Sequence, residues 1–144
     1  MIKIMKSLNN ISRAQSVYRT ERLSELCASH HAFVFAVCKN PGRTQEELAK
    51  ELCLNKSTVA RALTVLEEKG FIERKENKED KRKFLVFPSK KMLDILPAVR
   101  EISKEFNRLI TSGVSESELE IFYSVLSRME QTAKGLVEKS EEEI

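Results

Sequence analysis

Between Thr44 and Arg74 the apolar residues fall into two short runs at helical spacing, parted by a polar break, and then change to strand spacing. Leu48, Ala49 and Leu52 form the inward face of the first run, and Val59, Leu63 and Leu66 that of the second. Thr44 followed three residues later by Glu47 is a capping box, in which hydroxyl and carboxylate satisfy each other's backbone amides, so a helix is predicted to open there. Asn55 stands where a second N-cap belongs. Gly70, just past the last periodic residue, suits a left-handed helix end. Cys53 occupies the break, where a small residue is wanted. Phe71 and Ile72 start a strand, and from Glu73 to Phe87 apolar ends flank a charged centre, which predicts a β-hairpin with its tip near Asn77 to Lys81.

The flanking sequence is helical. Ile11, Ala14, Val17, Tyr18, Leu23 and Leu26 predict one long first helix over residues 10–26. The more uniformly apolar run Ala32 to Val37 predicts a buried second helix ending near Lys39, before Asn40-Pro41-Gly42. From Ser89 onward Leu93, Leu96, Val99, Ile102, Phe106, Leu109 and Ile110 mark a long helix, with a kink expected between Leu93 and Pro97 because proline removes a backbone bond. Thr111 to Gly113 end it. Ser115 and Glu118 make another capping box, and Leu119, Phe122, Leu126 and Met129 begin a last helix expected to fray within Glu138 to Glu143. The fold class is therefore mainly α with a small β wing: a winged helix-turn-helix over residues 30–88 plus a helical part, 1–29 and 89–144, within one domain of 1–144. The terminal helices carry more apolar positions than one wing can cover, so a two-fold bundle with a second copy is expected. The alternative is that they fold back on their own winged helix.

The formal net charge is only +3, but it is unevenly placed. Residues 40–91 hold 13 basic and 9 acidic side chains, net +4, whereas 92–144 hold 6 and 11, net −5. Basic charge concentrated on the helix-turn-helix and hairpin suits a nucleic-acid partner. The second helix leaves Lys56, Ser57, Ala60, Arg61 and Thr64 on its outer face, small, polar and basic, as close approach to a groove requires. Lys56, Ser57, Thr58 and Arg61 form the groove-reading set, Arg61 as a bidentate donor to guanine or else as a phosphate clamp. Thr58 has the alternative of bonding a carbonyl of its own helix. Arg43, Thr44 and Gln45 lie at a helix N-terminus, where exposed amides favour a phosphate, although capping alone also accounts for Thr44. Lys78, Lys81 and Lys83 supply diffuse attraction from the hairpin.

The run Leu48 to Arg74, LAKELCLNKSTVARALTVLEEKGFIER, with Asp80-Lys81-Arg82 in the hairpin and a helix opening at Ser89, resembles the MarR family of winged-helix transcriptional regulators. With the flanking helices the resemblance covers nearly the whole chain. It implies a homodimer on double-stranded DNA, a repressor of an inverted-repeat operator, released by a small-molecule effector. It also implies that Arg82 is the minor-groove arginine of the wing and Asp80 the partner that restrains it. His30 and His31 fall near where the family places effector pockets; adjacent on a helix, they point apart and cannot pair on one metal. Some branches sense oxidants through a cysteine near the N-terminus, for which Cys27 is the candidate here. Cys38 reads as core.

Other classes find little support. Three cysteines with no CxxC and no secretory h-region favour a reduced, cytoplasmic setting, and no apolar run approaches the roughly 20 residues needed to span a bilayer. There is no Gly-rich phosphate loop, HExxH or nucleophile elbow, so no enzyme, cofactor or metal is expected. The competing readings are a winged helix used for protein contact and a thiol-based redox regulator.

Overall fold

The structure is a computed structural model that describes residues 3–142. The order is α1 (Ile4–Arg22), a 3-10 turn (Ala28–His30), α2 (His31–Lys39), β1 (Arg43–Thr44), α3 (Gln45–Leu52), α4 (Lys56–Glu68), β2 (Ile72–Glu76), β3 (Phe84–Pro88), α5 (Lys90–Ile110) and α6 (Glu116–Glu142). The chain divides into two compact units, Met1–Phe106 and Asn107–Ile144.

The first unit is built on one core. Phe33, Val34 and Val37 of α2, Leu48 of α3, Val59, Leu63 and Leu66 of α4, Phe71, Ile72 and Val86 are all buried together. Leu26, Met92, Ile95 and Val99 join the same cluster. The apolar core thus reaches beyond the expected boundaries at residues 30 and 88, because the start of α5 completes it.

Helix ends follow local chemistry. Thr44 Oγ1 accepts from the Glu47 amide at 3.2 Å, and Glu47 Oε1 accepts from the Thr44 amide at 3.4 Å, which closes the capping box. At the end of α4 the Phe71 amide reaches the Leu66 carbonyl at 2.8 Å and the Gly70 amide reaches Glu67 at 3.0 Å. This is a Schellman motif, and it requires Gly70 at φ +81°. Cys53 ends α3 in the same left-handed way, at φ 53°, without the freedom of a glycine. Ser89 then ties the next helix to this turn: its hydroxyl donates within reach of the Gly70 and Phe71 carbonyls, at 2.6 and 2.9 Å.

The sheet is antiparallel, in the order β1-β3-β2, with Arg43 and Arg74 on either side of Val86. The hairpin over β2 and β3 matches the sequence expectation. β1 does not: two residues are too short for a strand pattern, and it forms only because β3 arrives beside it.

Two expectations about the helices are corrected. α1 spans 4–22 rather than 10–26; it has no buried residue, so its periodicity marks its position poorly, and Leu23 and Leu26 leave the helix to enter the core. α6 remains helical to Glu142, with no fraying from Glu138; a Lys134–Glu130 pair at 3.0 Å supports the turn before the acidic end. Glu143 lies outside the described residues. α5 spans Lys90–Ile110 with Pro97 inside it, as the sequence pattern places it.

In the second unit none of the α6 residues whose burial is described is buried. Ile121, Phe122, Tyr123, Leu136 and Val137 are all at least half exposed, Ile121 at 67%. A long helix with this many uncovered apolar side chains has no core of its own.

Candidate nucleic-acid interface

Asn55 aims α4. Its Oδ1 accepts from the Thr58 amide and from the Ser57 hydroxyl, both at 2.8 Å, so the first turn is fixed. Val59, Ala62, Leu63 and Leu66 are buried. That leaves Lys56, Ser57, Arg61 and Thr64 exposed on the opposite face, as the 3.6-residue repeat requires. Thr58 is half-buried. The hydroxyl-to-carbonyl bond considered for Thr58 is made instead by Thr64, which donates to the Ala60 carbonyl at 2.9 Å.

The hairpin tip is stiffened by its own backbone. Lys83 N–H donates to the Asp80 carbonyl at 3.0 Å, and Asn77 Oδ1 accepts from the Glu79 amide at 3.0 Å. Asp80 Oδ1 accepts from the Arg82 amide at 3.1 Å and from its Nε at 3.2 Å. These bonds, the backbone one foremost, hold the Asp80 carboxyl below the usual carboxylate range. The Arg82 side chain is still 91% exposed. Lys78 and Lys81 are exposed as well, whereas Lys83 Nζ crosses to Glu46 Oε2 at 3.4 Å and links the wing to α3.

Between wing and α3 lies a cleft lined by Thr44, Gln45, Arg74, Arg82, Lys83 and Phe84. Arg43 does not face it as a free cation. Its guanidinium donates to the Ala36 carbonyl and pairs with Glu51, so it is spent on joining α2 to α3. These partners give Arg43 a structural role, while Thr44 and Gln45 stand at the helix opening, half-buried.

His30 and His31 are both buried, His31 to 1% exposure. Neither His31 ring nitrogen has a hydrogen-bond partner among the described residues. Burial, with Arg19 and His30 nearby, lowers its pKa to about 4. The Tyr18 hydroxyl, Arg19 Nε and His30 Nδ1 are likewise buried and unpartnered, and Arg19 donates through Nη1 to the Ala28 carbonyl at 3.3 Å, beside the two histidines. Cys27 is exposed, its Sγ 3.2 Å from Ser29 Oγ, and this contact draws its thiol pKa down. Cys38 is half-buried, and burial raises its thiol pKa. Among the described residues no three His, Cys, Asp or Glu side chains are grouped to hold a metal, and no helix is long and apolar enough to cross a membrane.

The MarR family model matches residues 32–84, the stretch that holds α2, α3, α4 and most of the hairpin. The crystal structure of the transcriptional regulator SlyA superposes with a TM-score of 0.87 at 28% identity, covering 93% of this chain and 96% of that one. Residues 32–84 of this chain match the MarR family, and its fold is that of the MarR-type winged helix. A MarR-family regulator from Listeria monocytogenes, solved in complex with a 26-mer DNA, superposes with a TM-score of 0.86 at 26% identity, over 94% of this chain and 91% of its own. An uncharacterized HTH-type transcriptional regulator of Bacillus subtilis, YybA, is 28% identical over 131 residues, 90% of this chain and 87% of the relative.

One residue at this face was missed by sequence reasoning. Arg74 of β2 donates through Nη2 to Thr64 Oγ1 at 3.3 Å, and its Nε lies 3.6 Å from Glu67 Oε2. The signal was present: strand alternation puts Arg74 on the same face as buried Ile72.

Proposed function

We propose that this protein is a sequence-specific DNA-binding regulator of transcription, a homodimeric repressor acting on an inverted-repeat operator and released by a small-molecule effector. The observation that carries the reading is the pairing of two exposed arginines on fixed supports: Arg61 on the N-capped helix α4, and Arg82 held by Asp80 at the wing tip. A helix with a small basic face fits the major groove, and an arginine projecting from a hairpin fits the adjacent minor groove. The DNA complex of the Listeria relative supports the same assignment. The complex of FabT from Streptococcus pneumoniae with DNA, at 25% identity and a TM-score of 0.74 over 92% of this chain and 94% of that one, agrees with it.

Lys56, Ser57 and Thr58 join Arg61 in the major groove. Thr44 and Gln45 take a backbone phosphate at the start of α3, and Lys78 and Lys81 add diffuse attraction. The homodimer is supported by α1 and α6, which leave many apolar side chains exposed, among them Ile11 and Val17 of α1 and Ile121 and Leu136 of α6. Two-fold symmetry then separates the half-sites by one helical turn, about 34–36 Å, or a multiple. The effector reading rests on His30 and His31, where buried polar groups without partners favour a small hydrogen-bonding molecule over an apolar one. Linkage requires that such an effector and DNA weaken each other equally. A thiol-based trigger has one observation in its favour, the exposed Cys27 with its lowered pKa.

The test is a titration, with reductant present, onto DNA from upstream of its own gene and onto a shuffled copy, at two salt concentrations. The proposal expects upstream binding tighter by about a thousandfold. Equal, weak and steeply salt-dependent binding to both, repeated on other genomic fragments, overturns it in favour of a protein-contact module.

A further inference from the structure

Arg74 occupies an unusual place in the sheet. Ile72 and Arg74 share the face of β2 turned toward α4, so a charge sits one pleat beyond a core position, where it needs partners. It finds them on α4. Thr64 and Glu67 are three residues apart, on one stripe of the helix, and the guanidinium fork spans both, with a hydrogen bond to Thr64 and an ion pair to Glu67. Thr64 passes the connection on to the Ala60 carbonyl, next to Arg61. On the other side the Arg74 backbone pairs with Val86, the central position of the three-stranded sheet.

Beside the apolar core that the two reading elements share, Arg74 makes a polar joint between them. Apolar packing holds α4 against β2 without directional bonds, and the fork adds bonds of defined geometry between the last turns of α4 and the middle of β2. The Arg74 side chain is 22% exposed, against 91% for Arg82, so it is placed to join elements rather than to touch a ligand.

We propose that Arg74 is a positioning residue that sets the angle between α4 and the wing, so that Arg61 and Arg82 meet neighbouring grooves in the same register. This rests on the DNA-binding reading above. It assigns to Thr64 and Glu67 a role in the joint, not in base contact.

The experiment uses a duplex enriched by the wild-type protein from a random-sequence pool, and its shuffled copy. Wild type, Arg74→Lys, Arg74→Ala and Glu67→Gln are titrated on both at two salt concentrations, and their melting temperatures are recorded. Arg74→Ala is expected to lower the ratio of enriched to shuffled affinity by about tenfold or more, with shuffled binding and salt slope unchanged. Glu67→Gln lowers the ratio less. Arg74→Lys restores part of it, since an ammonium meets one acceptor and not the fork. Equal losses on both duplexes, with the salt slope reduced by about one unit, would make Arg74 a phosphate contact and overturn the proposal. So would an unchanged ratio in a folded variant; if Arg74→Ala melts below the assay temperature, Arg74→Lys and Glu67→Gln decide. Failure of the wild type to enrich any sequence overturns the DNA-binding reading and this inference together, whereas enrichment with variants that match wild type overturns the inference alone.

Discussion

Arg82 Nε donates to Asp80 Oδ1 at 3.2 Å while the arginine side chain keeps 91% of its surface exposed. The carboxylate restrains the base of the guanidinium without consuming its outer donors. An exposed pair like this adds little to stability. On the proposed reading, its value is in pre-setting a flexible side chain before DNA arrives. Arg82→Ala is expected to weaken operator binding by tenfold or more, about the scale of one lost specific contact. Asp80→Ala should weaken it by less, and Asp80→Asn, which keeps an acceptor, by less again. All three should melt with the wild type. Fluorescence anisotropy on a labelled operator, beside a thermal melt, checks both halves; a drop in melting temperature that accounts for the lost binding would remove the wing's special role.

Arg61 and Lys78 are both exposed cations, yet they differ in what holds them. Arg61 stands on a helix with four buried residues and a capped start, whereas Lys78 rides a hairpin tip. Arg61→Ala should relax sequence preference at one base pair, by about 1–3 kcal/mol. Lys78→Ala should weaken all sequences alike and lower the salt slope by about one unit. Competition titrations with single-base operator variants distinguish the two. Equal losses on specific and random DNA for Arg61→Ala would reassign it to a phosphate.

What was legible in the sequence was local. Thr44 with Glu47, Asn55, Gly70 and the Asp80-x-Arg82 spacing each announce a cap, a turn or a pair within a few residues, and the structure contains all of them. Partners set by the fold were not legible. Arg43 reads as free in the sequence because Ala36 and Glu51 come to it only when α2, β1 and α3 pack. Arg74 reads as part of a motif with no role of its own, because Thr64 and Glu67 lie on a different element. α1 is displaced by several residues from its expected place because none of its side chains is buried within this chain, and an unburied helix carries a weak periodic signal.

Cys53 ends α3 in a left-handed conformation at φ 53°, with the Leu54 amide closing onto the Ala49 carbonyl at 3.1 Å. A side chain in that region costs about 1–2 kcal/mol, which glycine avoids. Glycine also frees the unfolded chain, so the net gain is smaller, roughly 0.5–1 kcal/mol. Cys53→Gly is expected to raise the melting temperature with DNA binding unchanged. Cys53→Val, β-branched and excluded from this conformation, should lower it.

His31 contributes to the pH dependence of the fold between neutrality and pH 4, and His30, whose pKa burial also lowers, acts in the same direction. Burial disfavours the His31 imidazolium, so its pKa falls from 6.5 to about 4 in the folded protein. Between those values the unfolded chain binds a proton that the folded one does not. Stability is therefore complete above pH 6.5, is lost as the pH falls toward 4, and falls no further below that on this account. Each tenfold change in proton affinity is worth about 1.4 kcal/mol, which makes the total on the order of 3 kcal/mol. His31→Leu should remove most of this slope in denaturant melts taken across the window. Because both ring nitrogens lack partners among the described residues, the leucine variant should also equal or exceed the wild type in stability at pH 7. If His31 helps to hold an effector, the same variant should keep operator affinity and lose release by that effector. A variant less stable at pH 7 with the slope intact would show instead that His31 has partners the fold does not reveal.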